Sequence, residues 1–343
     1  MIPEVIPDEA ALEHALTEPT PELVRWIPTL RGPLVVLGAG GKMGLTVAGL
    51  ARRAAVAAGC PLEVIAVSRF SDPQVRQRIE ALGIRTESAD LLDPESLNRL
   101  PDAANVVSLV GLKFGTSRDP AMTWAINTLA PVNGIRRYPA ARWVLLSTGN
   151  VYPQVPIESG GATEDSPLTP LGEYANAAIA RERLFEYAAR AHGTPGVRIR
   201  LNYAVELRYG VLVDIAQRVW RGEPVDLSNG WFNCIWQGDA ADRILRALDL
   251  AAAPPPAFNL CCTPPRSVRE TALEFGRLLG RAVRFQGTES TTTLLSNPSL
   301  LESRLGRPPT SLDAVIQRTA EWVRSDGRTL NRPTGFEVRD GRY

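Results

Sequence analysis

Pro33-Leu34-Val35-Val36-Leu37-Gly38-Ala39-Gly40-Gly41-Lys42-Met43-Gly44 decides the fold. An apolar run enters a turn with glycine at 38, 41 and 44, and a helical pattern follows over 42–58. A strand that is apolar throughout is buried on both faces, which is the setting of a parallel sheet covered by helices. The glycines have separate tasks. Gly38 makes the tight turn, Gly41 admits the backbone to a pyrophosphate, and Gly44 brings helix close to strand. The helix start adds free N–H groups and positive potential for the phosphates. A glycine motif alone is weak, but strand, turn and helix together are the context a dinucleotide site requires. Gly38, Gly41, Lys42, Met43 and Gly44 are therefore the expected phosphate loop.

Outward from this segment the alternation continues. Strands are expected over 33–37, 62–68, 84–88, 105–110, 142–146 and 196–201, with helices over 42–58, 73–82, 122–136 and 174–191 between them. This predicts an α/β fold, a Rossmann-type doubly wound parallel sheet over residues 31–201 with a smaller C-terminal substrate lobe. Residues 1–30 read as an N-terminal helical extension, with one or two short helices in 8–29. From 202 to 330 the pattern loosens into Pro- and Gly-punctuated loops, with helices near 211–221, 240–252, 268–279 and 311–325. That region is the expected substrate-binding lobe, interleaved with the last Rossmann elements. Residues 331–343 form a polar tail, extended or docked. There is no internal repeat.

The second strand ends in Val67-Ser68-Arg69 rather than in an acid. A carboxylate there would accept from a ribose 2′-OH and repel a 2′-phosphate, whereas Ser68 and Arg69 suit the phosphate, with Lys42 as a second cation. The expectation is NADP(H) in preference to NAD(H). The plain alternative leaves Arg69 a solvated loop residue.

Composition narrows the function classes. The 343 residues carry a formal net charge of +1 and no basic run, so neither nucleic acid nor a membrane is the expected partner. No stretch approaches the roughly 18 to 20 apolar residues of a membrane span, and the opening residues do not read as a signal peptide. A cytoplasmic setting with reduced thiols follows, since Cys60, Cys234, Cys261 and Cys262 match no zinc spacing. With only His14 and His192, a histidine triad or histidine-rich metal site is not expected, and no metal is assigned. Lys42 and Lys113 are the only lysines among 38 basic residues.

Further motifs lie along the chain. Asp90-Leu91-Leu92-Asp93 follows the third strand. Asn127 stands in Trp124-Ala125-Ile126-Asn127. Ser147-Thr148-Gly149-Asn150-Val151-Tyr152 ends the fifth strand, and Asp165-Ser166-Pro167-Leu168-Thr169-Pro170 precedes Tyr174. Arg200-Leu201-Asn202 and Gly238-Asp239 come later. With the glycine turn, these resemble the extended short-chain dehydrogenase/reductase superfamily, the NAD(P)-dependent epimerase/dehydratase group, from about residue 33 to 322. The resemblance implies that Asp90 and Leu91 face adenine and that Asn127 organises the active site. It also implies that Thr148 is the catalytic hydroxyl, that Tyr174 is the tyrosine of Y-x-x-x-K, and that a homodimer pairs the helices carrying Asn127 and Tyr174.

One departure matters more than the match: Ala178 stands where the family has its lysine, one turn beyond Tyr174 on the same face. A cation about 4 Å from a phenol is worth on the order of 4 kcal/mol at effective dielectric 20, or about three pKa units. Without it Tyr174 keeps its proton at neutral pH, able to donate a hydrogen bond but poor as a base. Lys113, in Gly111-Leu112-Lys113-Phe114-Gly115 after the fourth strand, is expected at the nicotinamide end of the cleft, against the alternative of a surface lysine. Arg181 cannot shuttle protons. Trp231 and Asn233 read first as packing, and second as walls of a substrate pocket.

The leading expectation is an NAD(P)-dependent epimerase/dehydratase-like oxidoreductase that moves a hydride to or from a carbohydrate-like hydroxyl/carbonyl substrate. Thr148, Tyr174, Lys113 and Asn127 are its catalytic candidates. The alternatives are a non-redox lyase or isomerase on the same fold, and a catalytically degraded NADP-binding regulatory protein.

Overall fold

The computed structural model describes residues 2–116, 118–332 and 334–342. Seven strands form one parallel sheet: β1 (Leu34–Leu37), β2 (Val64–Ser68), β3 (Arg85–Ser88), β4 (Asn105–Ser108), β5 (Arg142–Thr148), β6 (Gly196–Leu201) and β7 (Ala257–Leu260). Their order is β7-β6-β5-β4-β1-β2-β3. Side chains alternate across a strand, so neighbouring apolar residues serve different cores. Leu34, Val36, Val64, Ala66 and Val144 enter one hydrophobic core, while Val35, Leu37, Ile65, Val67 and Leu145 enter another on the opposite face. This is the Rossmann-type, doubly wound arrangement. Only the edge strand β3 is largely unburied, and there Arg85 and Glu87 pair as charged guards of an open edge.

Helices α1 (Glu9–Leu16) and α2 (Pro21–Trp26) precede the sheet, and α3 (Gly44–Ala57), α4 (Pro73–Glu80) and α5 (Pro94–Asn98) follow its first three strands. Asp8, Thr20, Asp72 and Asp93 cap α1, α2, α4 and α5 through side-chain acceptors. The stretch expected as one helix over 122–136 is three pieces: α6 (Pro120–Trp124), a π-helical turn (Ala125–Leu129) and α7 (Ala130–Arg137). Asn127 lies within the π turn. After β5 comes the long α8 (Gly172–His192), and beyond β6 come α9 (Val211–Arg221), α10 (Gln237–Arg246), α11 (Val268–Leu279), α12 (Ser299–Leu305) and α13 (Leu312–Arg324). Residues of α1, α2, α3, α9, α10, α11 and α13 share one core with the first face of the sheet.

The strand order changes direction between β1 and β4, and a crevice opens at the carboxyl ends of the strands where it does. The tail beyond α13 is docked across this crevice. Leu330 N donates to Arg208 O (2.9 Å), and Thr334 donates to the Asp214 carboxylate of α9 through both N (2.8 Å) and Oγ1 (2.6 Å). Phe336 is buried, with its carbonyl accepting from Asn229 Nδ2 at 2.6 Å, and Arg339 donates to Thr292 O at 2.7 Å. Gly341 backs onto Leu171 and Gly172 at the start of α8.

Candidate functional site

The glycine turn is built as its residues require. Gly38 has φ +80°, and its N–H and that of Ala39 donate to Val67 O, tying the turn to β2. A Cβ on Gly44 would stand 2.0 Å from Ala39 O, so only glycine lets α3 start this close to β1. Met43 caps α3 without a side-chain acceptor, leaving the first-turn amides to the crevice. Ser68 is half-buried against Gly40, and Arg69 is exposed just beyond β2. Asp90 accepts from Leu92 N (2.9 Å) and so folds the turn that holds Leu91, whose carbonyl accepts from Asn133 Nδ2 (3.0 Å). These backbone and side-chain groups line the carboxyl edges of β1, β2 and β3, as a dinucleotide's phosphates, ribose and base would need.

Lys42 departs from expectation. Its backbone belongs to the turn, but its stem leaves the side of Ser68 and Arg69 and crosses the crevice. Nζ donates to Ala204 O at 2.6 Å and lies 4.0 Å from the centre of the Tyr209 ring. A flexible four-carbon stem reaches whichever acceptor tertiary packing offers, and here that acceptor is on the opposite wall. In this structure its Nζ therefore rests against Ala204 and Tyr209.

Past the carboxyl ends of β4, β5 and β6 lies a cleft of about 190 Å³ whose walls include Lys42, Lys113, Thr148, Tyr174, Tyr209 and Thr334. The end of β5 positions Thr148, and Asn150 holds it by donating from N to Oγ1 (3.2 Å) and accepting from that hydroxyl at Oδ1 (3.1 Å). Tyr174, in the first turn of α8, is 8% exposed. Lys113 Nζ donates to Thr334 O (3.2 Å) and approaches the rings of Phe114 and Tyr203. Burial pulls Lys42 down to about 7 and Lys113 to about 8. Burial likewise raises the Tyr209 phenol and the Asp214 carboxyl.

Asn127 faces the cleft only through other residues. Its Nδ2 donates to Leu112 O (3.0 Å) and Thr123 O (2.8 Å), while Oδ1 accepts from Arg181 Nη1 (3.2 Å). Arg181 also donates to Val110 O (2.9 Å), so the pair braces the segment that carries Lys113. A Cβ on Gly111 would lie 2.8 Å from Arg181 Nη1, so a side chain there would displace the guanidinium of that brace. Ala178 is wholly buried and packs with Val151, Tyr152 and Ala162, so the surface one turn beyond Tyr174 is apolar.

Under the cleft floor runs a buried polar chain. Ser147 Oγ donates to Glu182 Oε1 (2.5 Å), Arg200 Nη2 donates to Glu182 Oε2 (2.7 Å), and Arg200 Nη1 donates to Tyr152 Oη (2.6 Å). Tyr152 donates in turn to Asn259 Oδ1 (2.8 Å). Burial opposes the Glu182 charge, but the Arg200 guanidinium overrides it and holds the carboxyl below its ordinary range. The chain ties β5, β6, β7 and α8 together, the elements that carry Thr148 and Tyr174 into the cleft.

Sequence reasoning missed Tyr209, Thr334 and the direction of Lys42. Tyr203, another wall of the cleft, holds φ +27°, a strained conformation of the kind that gathers at functional sites. None of these carries a local pattern; only the glycine after Tyr209, with φ +134°, marks a special turn. Asn233 is fully buried and bonds to Asn202, Cys261 and Ser296, which is packing, and Trp231 pairs with Ser267 in a two-stranded ladder. No helix among the described residues is long and apolar enough to cross a membrane.

The family model for the NAD dependent epimerase/dehydratase family matches residues 34–261. No curated protein matches the chain. Among solved structures, the UDP-glucose 4-epimerase of Thermus thermophilus in complex with NAD is similar at 21% identity and TM-score 0.68, covering 84% of this chain and 98% of that one. The dTDP-glucose 4,6-dehydratase of Bacillus anthracis in complex with NAD is similar at 14% identity and TM-score 0.71, covering 85% and 97%. RMD from Pseudomonas aeruginosa complexed with NADPH is similar at 19% identity and TM-score 0.68, covering 86% and 100%.

Proposed function

The chain belongs to the NAD dependent epimerase/dehydratase family, and from that premise we propose that it is an NADP(H)-using oxidoreductase acting on a carbohydrate-like hydroxyl or carbonyl. The observation that carries this reading is the meeting of Thr148, Tyr174 and Lys113 in one cleft, beyond a glycine turn whose Gly44 tolerates no side chain. A bound nicotinamide supplies the hydride acceptor or donor. Thr148 and Tyr174 hold the substrate oxygen by hydrogen bonds, with Tyr174 donating. Lys113 adds positive charge where negative charge develops on that oxygen. Asn127 and Arg181 position Lys113 through the backbone of 110–112.

Support for a carbohydrate-like substrate comes from the family and from the sugar-nucleotide enzymes named above. Preference for NADP(H) rests on exposed Arg69 beside Ser68, since an arginine there suits a 2′-phosphate and no carboxylate ends β2. A homodimer through the helices of Asn127 and Tyr174 is supported by exposed Met122, Leu129, Leu184 and Tyr187 on those helices. The setting proposed is the cytoplasm.

Fluorescence titration with NADPH and NADH tests the cofactor, and dinucleotide reduction with a panel of sugars and sugar nucleotides tests the reaction. Tighter NADPH binding and turnover of a hydroxyl substrate are expected. Failure to bind either dinucleotide overturns the reading; binding without turnover on any polyol, sugar or sugar nucleotide favours a regulatory protein.

A further inference from the structure

Lysine is almost absent from this protein, yet both lysines line the same cleft. Every other basic residue is arginine, including those of the exposed surface pairs with Glu22, Glu80 and Glu87. Arginine keeps its proton at every accessible pH, and lysine is the basic side chain that can give its proton up when desolvated. A chain that uses arginine wherever a permanent cation will do, and lysine only at its cleft, separates two demands.

The environment of Lys42 fits the second demand. Its Nζ has a carbonyl and a ring face as partners, Ala204 O and Tyr209, and neither carries a charge. The charged groups nearest in effect are Glu206, Arg208, Asp214 and Lys113. Glu206 is engaged by Arg208 at 3.1 Å, and Asp214 by the N and Oγ1 of Thr334. Among the described residues no carboxylate forms an ion pair with Lys42. Tyr174, Tyr203 and Tyr209 are the phenols that share its cleft. A half-buried ammonium without a counter-ion is still costly, and neutralisation relieves that cost. A neutral amine still donates to Ala204 O and retains a lone pair with which to accept a proton.

We propose that Lys42 is the proton-transfer residue of the cleft, a further catalytic residue that sits in the glycine turn instead of on the tyrosine helix. The proposal rests on the reading of this cleft as a nicotinamide-dependent redox site. In the oxidising direction the substrate O–H bond breaks and its proton forms an N–H bond at Nζ. The electron pair left on oxygen becomes the second bond of the carbonyl, and the C–H bond breaks with its pair, passing as hydride to the oxidised nicotinamide. In the reducing direction the Lys42 ammonium returns the proton to the new alkoxide. Tyr174, which has no lysine on its own helix, donates a hydrogen bond throughout. Burial and the neighbouring charges put Lys42 at about 7, where a general base works best at neutral pH.

The scarcity of lysine makes the test direct. Protein labelled with lysine carrying ¹³C at Cε gives two lysine signals, assigned with Lys42→Arg and Lys113→Arg. With NADP⁺ bound, the Lys42 signal is expected to titrate within about one unit of neutrality. Lys42→Arg keeps the charge but cannot yield it, so dinucleotide-dependent turnover is expected to fall at least about 100-fold. Affinity for NADPH, read by fluorescence, is expected to stay within about threefold in Lys42→Arg and Lys42→Met. A Lys42 signal still protonated above about pH 9 in the NADP⁺ complex overturns the proposal. So does near-normal turnover in Lys42→Arg, or a loss of NADPH affinity of more than about tenfold in Lys42→Met, which would make Lys42 a phosphate anchor. If the unaltered protein binds no dinucleotide, the redox reading itself falls, and this inference with it.

Discussion

The two walls of the cleft are built on different principles. The inner wall consists of strand ends and the glycine turn, where backbone lies against backbone and a single Cβ on Gly44 would meet Ala39 O at 2.0 Å. The outer wall consists of residues 203–210 and the docked tail, held by side-chain bonds such as Thr334 to Asp214 and Asn229 to Phe336 O. The first wall is steric and intolerant; the second is polar and adjustable. In such an arrangement the part that receives a common cofactor is rigid, and the part that meets a particular substrate can change residue by residue.

The sharpest way to break this comparison is Gly44→Ala. Backbone cannot retreat here without separating α3 from β1, so the variant is expected to lose at least about 3 kcal/mol of stability and its dinucleotide affinity. Thermal unfolding and NADPH fluorescence measure both, and normal values would remove the claim of a steric inner wall.

Lys42 bridges the walls, and its burial gives a pH signature. An unfolded lysine holds its proton to about pH 10.4, whereas folded Lys42 releases its proton near 7. Below neutrality both states are protonated and the folded protein carries the whole cost of the half-buried charge. Between neutrality and about pH 10 the unfolded chain binds more protons, so stability from this group rises with pH. Lys42→Met is therefore expected to stabilise the fold by about 2–3 kcal/mol at pH 6 and by little at pH 10. Denaturant midpoints at both pH values check it; an equal effect at both would show that the charge is not buried.

Phe336→Ala addresses the outer wall alone. Its ring is 2% exposed, but the tail can settle, so a loss of about 2 kcal/mol is expected, below the usual cost of a deep cavity. NADPH affinity should be unchanged while substrate KM rises. A fall in cofactor affinity would mean that the two walls are not separable.

The smallest effect is expected at Arg69→Asp. A carboxylate repels a 2′-phosphate and accepts from a 2′-OH, so the ratio of NADPH to NADH affinity should drop about tenfold, near 1.4 kcal/mol. Parallel titrations with the two dinucleotides decide it, and an unaltered ratio leaves Arg69 a solvent-facing residue.

The same contrast explains how much was legible in the sequence. The inner wall announces itself locally, because an apolar strand, spaced glycines and a helix start all occur within 33–44. Six of the seven sheet strands show the same alternation. β7 did not, since Ala257–Leu260 is four residues long and follows Pro254-Pro255-Pro256, a stretch that reads as loop. The helix expected from 42 begins at Gly44, because residues 42 and 43 complete the turn. On the outer wall, Tyr209 and Thr334 gain their places only from tertiary packing, and no periodicity in 202–210 or 331–343 reports it. Thr148 and Tyr174 could be named through the family resemblance of their motifs, but the meeting of Lys42 with Tyr209 depends on a side chain spanning two walls. Nor does any local pattern report that the space beside Gly111 is taken by Arg181 Nη1.

The docked tail has a consequence for the order in which the protein is made. The glycine turn, β1 to β5 and the tyrosine helix are complete by residue 192 and β6 by residue 201, yet Thr334, which accepts from Lys113 and bonds Asp214, emerges more than 130 residues after β6. At the pace of translation, about 5–20 residues per second, the nascent chain spends several seconds with this cleft unroofed. During that interval its inner wall is the surface a chaperone or a free dinucleotide meets first, and the last lock on the site closes only as residues 334–341 settle between Lys113 and Gly172.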